Sequence, residues 1–290
     1  MRSLIEFDWK WFFVRLYDRS FETDIFNRAA QVAFYFSFSL FPLLFFLLSL
    51  FGLILGSTDS LRIELFSYFS RILPSVAFDL VRATVNEIAG GSTTGKLTIG
   101  LLITLWSASA GVDSVRNALN AVYNITETRF WIKLKIQSLI LTFLVVILVA
   151  VVLTFFFYGW RMVQIGLAYI GFEVTSPMML VSIQWIGVIV VLLFACEIIF
   201  NLLPDFRERK WIWITPGSVV AILLFIGLTS GFRLYLEYFN TYNRTYGSLG
   251  AVIILMLWLY LTSIALLIGG LINAVSAEER ERHLPEPVEA

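Results

Sequence analysis

The sequence predicts an all-α polytopic membrane protein, and three observations carry that prediction. Of 290 residues, 59% are hydrophobic and only 14% charged, with a mean hydropathy of +0.83. That apolar share is far above an ordinary soluble domain's. Second, the apolar residues gather into long runs, the plainest being Tyr246 to Ala274, 29 residues without a charged side chain. At ~1.5 Å per residue such a helix exceeds the ~30 Å hydrocarbon layer. Third, lysines and arginines are sorted by segment. With the N-terminus inside, fourteen fall on cytoplasmic segments and seven outside, the positive-inside pattern of an even number of spans with both termini in the cytoplasm.

Residues 1–28 form a cytoplasmic amphipathic segment. Trp9, Phe12, Phe13, Leu16 and Tyr17 recur at helical spacing against Asp8, Lys10, Arg15, Asp18, Arg19 and Glu22, which predicts an interfacial helix. The apolar run that follows is too long for a signal peptide's core, and no small-x-small cleavage site follows it.

Six spans are expected within a membrane domain at 29–276, at about 29–56, 97–112, 136–158, 178–203, 216–238 and 246–274. The first carries Gln31, Ser37, Ser39 and Pro42, and the proline predicts a kink near Ser39. Residues 57–95 are too polar to span. Their apolar positions recur every three to four residues among Arg62, Glu64, Arg71, Asp79, Arg82 and Glu87, which predicts two amphipathic helices joined at Pro74, lying on the membrane or capping the bundle as a lid.

The turn Gly90-Gly91-Ser92-Thr93-Thr94-Gly95-Lys96 imitates a phosphate-binding loop. Leu97 stands where that loop needs a Mg²⁺-binding Ser or Thr, and no strand precedes it, so a plain turn is expected and no nucleotide. The second span is short and rich in small residues, with Ser107 and Ser109 placed to bond across helices. It continues into a polar stretch holding Asp113, Arg116, Asn117 and Asn120. The third span has almost nothing polar after Gln137 and is expected to face lipid on most sides.

The fourth span holds Cys196, expected to be a buried small hydrophobe, and Glu197 with Asn201 four residues on. A carboxyl inside a span costs ~2.5 kcal/mol or more at mid-membrane, so it needs a partner or a purpose. Glu197 therefore reads either as a proton- or cation-responsive group on a transport path or as a carboxyl paired with a neighbouring helix. The fifth span starts at Pro216 and carries Arg233 and Glu237 four apart near its outer end. They are placed to meet an anionic headgroup or each other. In the sixth span, Gly247, Gly250, Gly269 and Gly270 allow close helix approach. Residues 277–290 are expected to be a charged cytoplasmic tail.

Candidate transport or polar-packing residues are thus Gln31, Ser107, Ser109, Asp113, Arg116, Glu197 and Asn201. Candidate headgroup contacts are Arg233 and Glu237. No catalytic residue and no cofactor is expected. One His and one Cys cannot build a zinc or di-metal site of the usual kind, which leaves only a carboxylate site open. Zero formal net charge gives no field for nucleic acid. Membrane lipids are the expected partners, with a homo-oligomer or envelope proteins as further possibilities.

Several ordered motifs resemble the YihY/virulence factor BrkB family. They are Ala33-Phe34-Tyr35 with Ser39-Leu40-Phe41-Pro42, Trp106-Ser107-Ala108-Ser109-Ala110-Gly111 with Ala118-Leu119-Asn120-Ala121-Val122-Tyr123, Leu203-Pro204-Asp205, Pro216-Gly217, and Tyr246-Gly247-Ser248-Leu249-Gly250-Ala251. The resemblance covers roughly residues 25–276 and implies a six-span bacterial inner-membrane protein tied to the cell envelope. It brings no catalytic residues. The family has also carried a ribonuclease BN label, to which no metal-ligand cluster or basic face in this sequence corresponds. The function expected is a transporter or translocator of a lipid or other amphiphile, or alternatively a non-transporting scaffold for envelope machinery.

Overall fold

A computed structural model describes residues 7–55, 67, 94–169, 177–206, 211–238 and 248–282. The expected amphipathic insertion at 57–95, apart from Ser67 and the start of the following helix, lies outside them. So do the aromatic positions Phe239, Tyr242 and Tyr246, the charged residues 207–210, and the tail from 283 onward. Among the described residues all regular structure is helical: α1 (Trp9–Glu22), α2 (Ile25–Leu55), α3 (Thr94–Val122), α4 (Trp131–Tyr169), α5 (Pro177–Leu202), α6 (Pro216–Tyr238) and α7 (Ser248–Arg282). The protein is an all-α membrane protein.

Four stretches among the described residues are long and apolar enough to cross a membrane: Trp131–Leu148, Val181–Leu202, Pro216–Tyr238 and Val252–Arg282. The first two expected spans fall on α2 and α3, helices of 31 and 29 residues. α3 runs unbroken from its small-residue half through Asp113, Arg116 and Asn120. At 39 residues, α4 spans about 58 Å at 1.5 Å per residue, so part of it reaches beyond the hydrocarbon or tilts within it. Its Ile132, Ile136, Ile140, Phe143, Ile147 and Val151 are exposed along one stripe, as a lipid-facing helix requires.

Two ends depart from expectation. α7 does not stop near Ala274 but continues to Arg282, so the first charged residues of the tail are helical. The reason is packing, because Glu279 is 1% exposed and its carboxylate accepts the Asp8 N–H at 3.2 Å. α3 closes on Asn124, whose φ of 54° lies in the left-handed region. The Ile125 N–H reaches the Asn120 carbonyl at 2.7 Å and the Asn124 N–H reaches that of Ala121 at 3.1 Å. These are the paired bonds of a Schellman end, which asparagine tolerates better than most residues.

The chain divides into two compact units. One comprises Met1–Phe34, Ser114–Phe130 and Ile147–Ala290, the other Tyr35–Asp113 and Trp131–Val146. In the first, α6 lies along α7, α5 meets α6, and α1 rests on α7. The α6–α7 crossing is set by glycine. A Cβ built on Gly217 would run into the Gly269 carbonyl oxygen, and one on Gly269 would stand 2.5 Å from that of Gly217. Gly270 in turn faces Leu119. In the second unit, Gly111 of α3 faces Phe36 and Ser39 of α2 so closely that a Cβ built on it would stand only 3.1 Å from either side chain. Pro42 lies inside α2, and the Ser39 hydroxyl donates to the Tyr35 carbonyl at 2.7 Å.

Candidate functional site

Glu197 sits on α5 and is 1% exposed, so its carboxylate must be satisfied by protein. Thr215 supplies most of that. Its backbone N–H and its hydroxyl both donate to Glu197 Oε1, at 2.6 and 2.9 Å. Thr215 precedes Pro216, the first residue of α6, and proline at that position lacks the donor that the first turn leaves unpaired. The carboxylate therefore lies at the positive end of α6, where the helix dipole stabilises an anion. As the i+4 spacing predicted, the Asn201 amide donates to Glu197 Oε2 at 3.2 Å, and also to the Glu197 carbonyl at 2.8 Å.

α7 completes the same cluster. Asn273 donates to the Thr215 hydroxyl at 3.0 Å, and its Oδ1 accepts the Gly217 N–H at 2.8 Å. Tyr123 hydrogen-bonds Asn273, and burial pushes its phenol above the ordinary range even though that bond pulls it down. Five segments thus meet through short polar side chains. Cys196, beside Glu197, is half-buried rather than buried.

A second network ties the end of α3 to the end of α5. Arg129 binds Glu127 through two donors, Nε to Oε1 and Nη2 to Oε2, each at 2.7 Å. It also donates to the Leu203 carbonyl at 3.0 Å and lies 3.3 Å from Asp205. Asp205 accepts the Thr128 N–H and hydroxyl at 2.9 and 2.7 Å. Asn120 joins both sides, donating to Glu127 at 2.9 Å and accepting the Asp205 N–H at 3.1 Å. Arg116 lies 3.8 Å from Glu127. Burial alone would raise the Glu127 carboxyl, but the Arg129 and Asn120 hydrogen bonds outweigh it and hold it below the usual carboxylate range. Asp205 is held low in the same way, with burial outweighed by the Thr128 bonds and the Arg129 charge.

In the other unit, Asp113 is bound by Lys135 at 3.1 Å and by the Ser138 hydroxyl. Lys135 also donates to the Ser109 hydroxyl at 2.6 Å and stands 4.5 Å over the Trp106 ring. Ser109 thus bonds across helices as expected. Ser107 does not: it is exposed and donates within its own helix, to Ile103 at 3.0 Å. Gln31 lies on an exposed face of α2.

The far end of α6 is built differently. Arg233 and Glu237 pair at 3.0 Å but are 81% and 55% exposed. They rim an open groove of about 420 Å³ lined by Thr229, Phe232, Leu236 and Trp258. That volume is within the range of small-molecule sites. The groove has an apolar wall of Phe232, Leu236 and Trp258 and a charged lip at Arg233 and Glu237.

Of the residues singled out from sequence, then, Glu197 and Asn201 share one cluster, Ser109 and Asp113 another, and Arg233 and Glu237 rim a groove. Sequence reasoning missed Thr215, Asn273, Lys135, Glu127, Arg129 and Asp205. One signal for the first was available: Thr215-Pro216 marks a helix start, and a buried carboxyl elsewhere would favour that start.

The family model described as Virulence factor BrkB matches residues 16–290. Among relatives, a Bacillus subtilis (strain 168) protein named as ribonuclease-like, YfkH, is 29% identical over 260 residues, which is 90% of this chain and 92% of that one. A UPF0761 membrane protein of Idiomarina loihiensis is 27% identical over 234 residues, 76% of this chain and 74% of its own. A UPF0761 membrane protein of Xanthomonas campestris pv. campestris is 26% identical over 278 residues, 93% of this chain and 61% of its own. No solved structure matches.

Proposed function

The chain belongs to the virulence factor BrkB family of bacterial membrane proteins, and on that premise we propose that it transports or translocates a lipid or other amphiphile of the cell envelope. The single observation that carries this reading is the α6–α7 groove, whose apolar wall ends at an exposed arginine. A membrane face with an apolar track and a cation at its rim suits an acyl chain below an anionic headgroup. We place the protein in the inner membrane with six spans, α2 to α7, and both termini in the cytoplasm. The sorting of Lys and Arg along the sequence supports that orientation.

A second reading, a non-transporting scaffold, is favoured by one specific observation. Glu197 and Asp113 are committed to donors from neighbouring segments, which is how polar side chains hold helices together in lipid. Under the transport reading these residues brace the bundle, and the groove does the work. Arg233→Ala with Trp258→Ala, at the groove, separates the readings in cells: lost function at normal membrane abundance favours transport at the groove, and function kept at normal abundance favours the scaffold.

The direct test is reconstitution. Purified protein in vesicles is expected to move a fluorescently labelled phospholipid between leaflets faster than empty vesicles do. If it moves neither labelled lipid nor anionic solute, with or without a proton gradient, the transport reading fails.

A further inference from the structure

α1 divides into three faces when its residues are laid out at ~100° per residue. One docks onto the body of its unit. Phe12 is buried, Arg19 donates to the Val122 carbonyl at 3.1 Å and lies 3.3 Å from Glu278, and Arg15 donates to Glu278 at 3.0 Å. The second, charged face carries Asp18 and Glu22. The third holds Trp9, Phe13, Tyr17 and Phe21, four aromatics each one turn from the next and all exposed, with Val14 beside them.

So large an apolar stripe on an immobilised helix needs a cover. Position along α7 says which. Asn273 meets Gly217 at the start of α6, and the residues just before α6, Trp211, Ile212, Trp213 and Ile214, are exposed aromatics and aliphatics of the kind that sit at headgroup level. α1 grips α7 at Glu278 and Glu279. That is five to six residues farther on, or about 8 Å at 1.5 Å per residue. Glu278 is also the first charge on α7 after its apolar run. Both markers put α1 within the headgroup layer, whose depth is several ångströms on each side of the hydrocarbon.

We propose that the Trp9, Phe13, Tyr17 and Phe21 face of α1 is a membrane-binding surface, seated in the headgroup and acyl boundary of the leaflet at the C-terminal end of α7. Charge does not hold it there. Only Lys10 among its cations projects along that face, while Asp18, Glu22 and Asp24 are exposed on the same segment. Insertion rests on aromatic burial, and α1 is an outrigger fixed to α7 rather than a polybasic arm that anionic lipid recruits.

The test uses the full chain in liposomes with a spin label at Phe13→Cys, Tyr17→Cys or Asp18→Cys, each in a Cys196→Ser background. Labels at 13 and 17 are expected to be several-fold more accessible to oxygen than to an aqueous nickel chelate, with the reverse at 18. The contrast should be the same in purely zwitterionic vesicles as in vesicles with a third anionic lipid. Labels at 13 and 17 as exposed to nickel as the one at 18 would overturn the proposal. So would dipolar broadening between copies, which would assign the face to a second chain, or insertion that appears only with anionic lipid.

Discussion

The two ends of α6 carry the same chemistry to opposite ends. At its start, Glu197, Thr215, Gly217 and Asn273 form a closed cluster in which the carboxylate and its donors are all committed to protein. At its far end, among the described residues, Arg233 and Glu237 pair with each other and stand in the open beside an apolar groove. A buried polar group that is fully bonded rigidifies, whereas an exposed pair contributes little to stability and is free to exchange partners. The first end is therefore the joint of the bundle and the second its candidate working surface.

That contrast breaks most sharply at the glycine crossing. Gly217→Ala pushes a methyl into the Gly269 carbonyl, and forced overpacking of this kind costs about 3 kcal/mol or more. Folded yield and thermal midpoint in detergent are expected to collapse. Removing a buried partner comes next. Arg129→Ala leaves Asp205 without its cation and Glu127 with only the more distant Arg116, a loss of about 3 kcal/mol for a buried pair broken on one side. Glu197→Ala strands the buried Thr215 N–H at about 2 kcal/mol, whereas Glu197→Gln keeps an acceptor and loses less.

Acidification sharpens the same point. The Glu127 and Asp205 carboxyls are depressed in the folded state. Their contribution is therefore complete above the ordinary carboxylate value of ~4 and is lost as pH falls through their lowered values. A pH series of thermal midpoints is expected to fall below about pH 4 in the wild type, and Arg129→Ala should weaken that acid-side dependence, the Asn120 and Thr128 bonds keeping part of it. The smallest stability effect belongs to the open end. Arg233→Ala is expected to change the midpoint by less than about 0.5 kcal/mol, whatever it does to lipid.

The helices and the local pairs were legible in the sequence, because both follow from periodicity. Glu197 with Asn201 and Arg233 with Glu237 are i,i+4 neighbours, and Gly269 announced a close approach without naming its partner. What could not be read is which distant residue each polar group meets. Glu197 and Thr215 are 18 residues apart, Thr215 and Asn273 58, and Arg129 and the Leu203 carbonyl 74, and no local pattern encodes such pairings. The same reason hid the end of α7. Residues 277–282 look like a charged tail until Asp8, Arg15 and Arg19 of the first segment supply the groups that fold Glu278 and Glu279 into a helix. The motifs that carried the family resemblance, Leu203-Pro204-Asp205, Asn120 and Pro216-Gly217, fall on these joints.

On the proposed reading the open end of α6, rather than its closed end, engages an amphiphile. Native mass spectrometry of the protein released from membrane nanodiscs tests it most directly, by comparing retained phospholipid in the wild type, Arg233→Ala with Trp258→Ala, and Glu197→Gln. One or more retained lipids are expected in the wild type and in Glu197→Gln, with a several-fold loss in the double variant. Equal retention in all three, or loss only in Glu197→Gln, would contradict it.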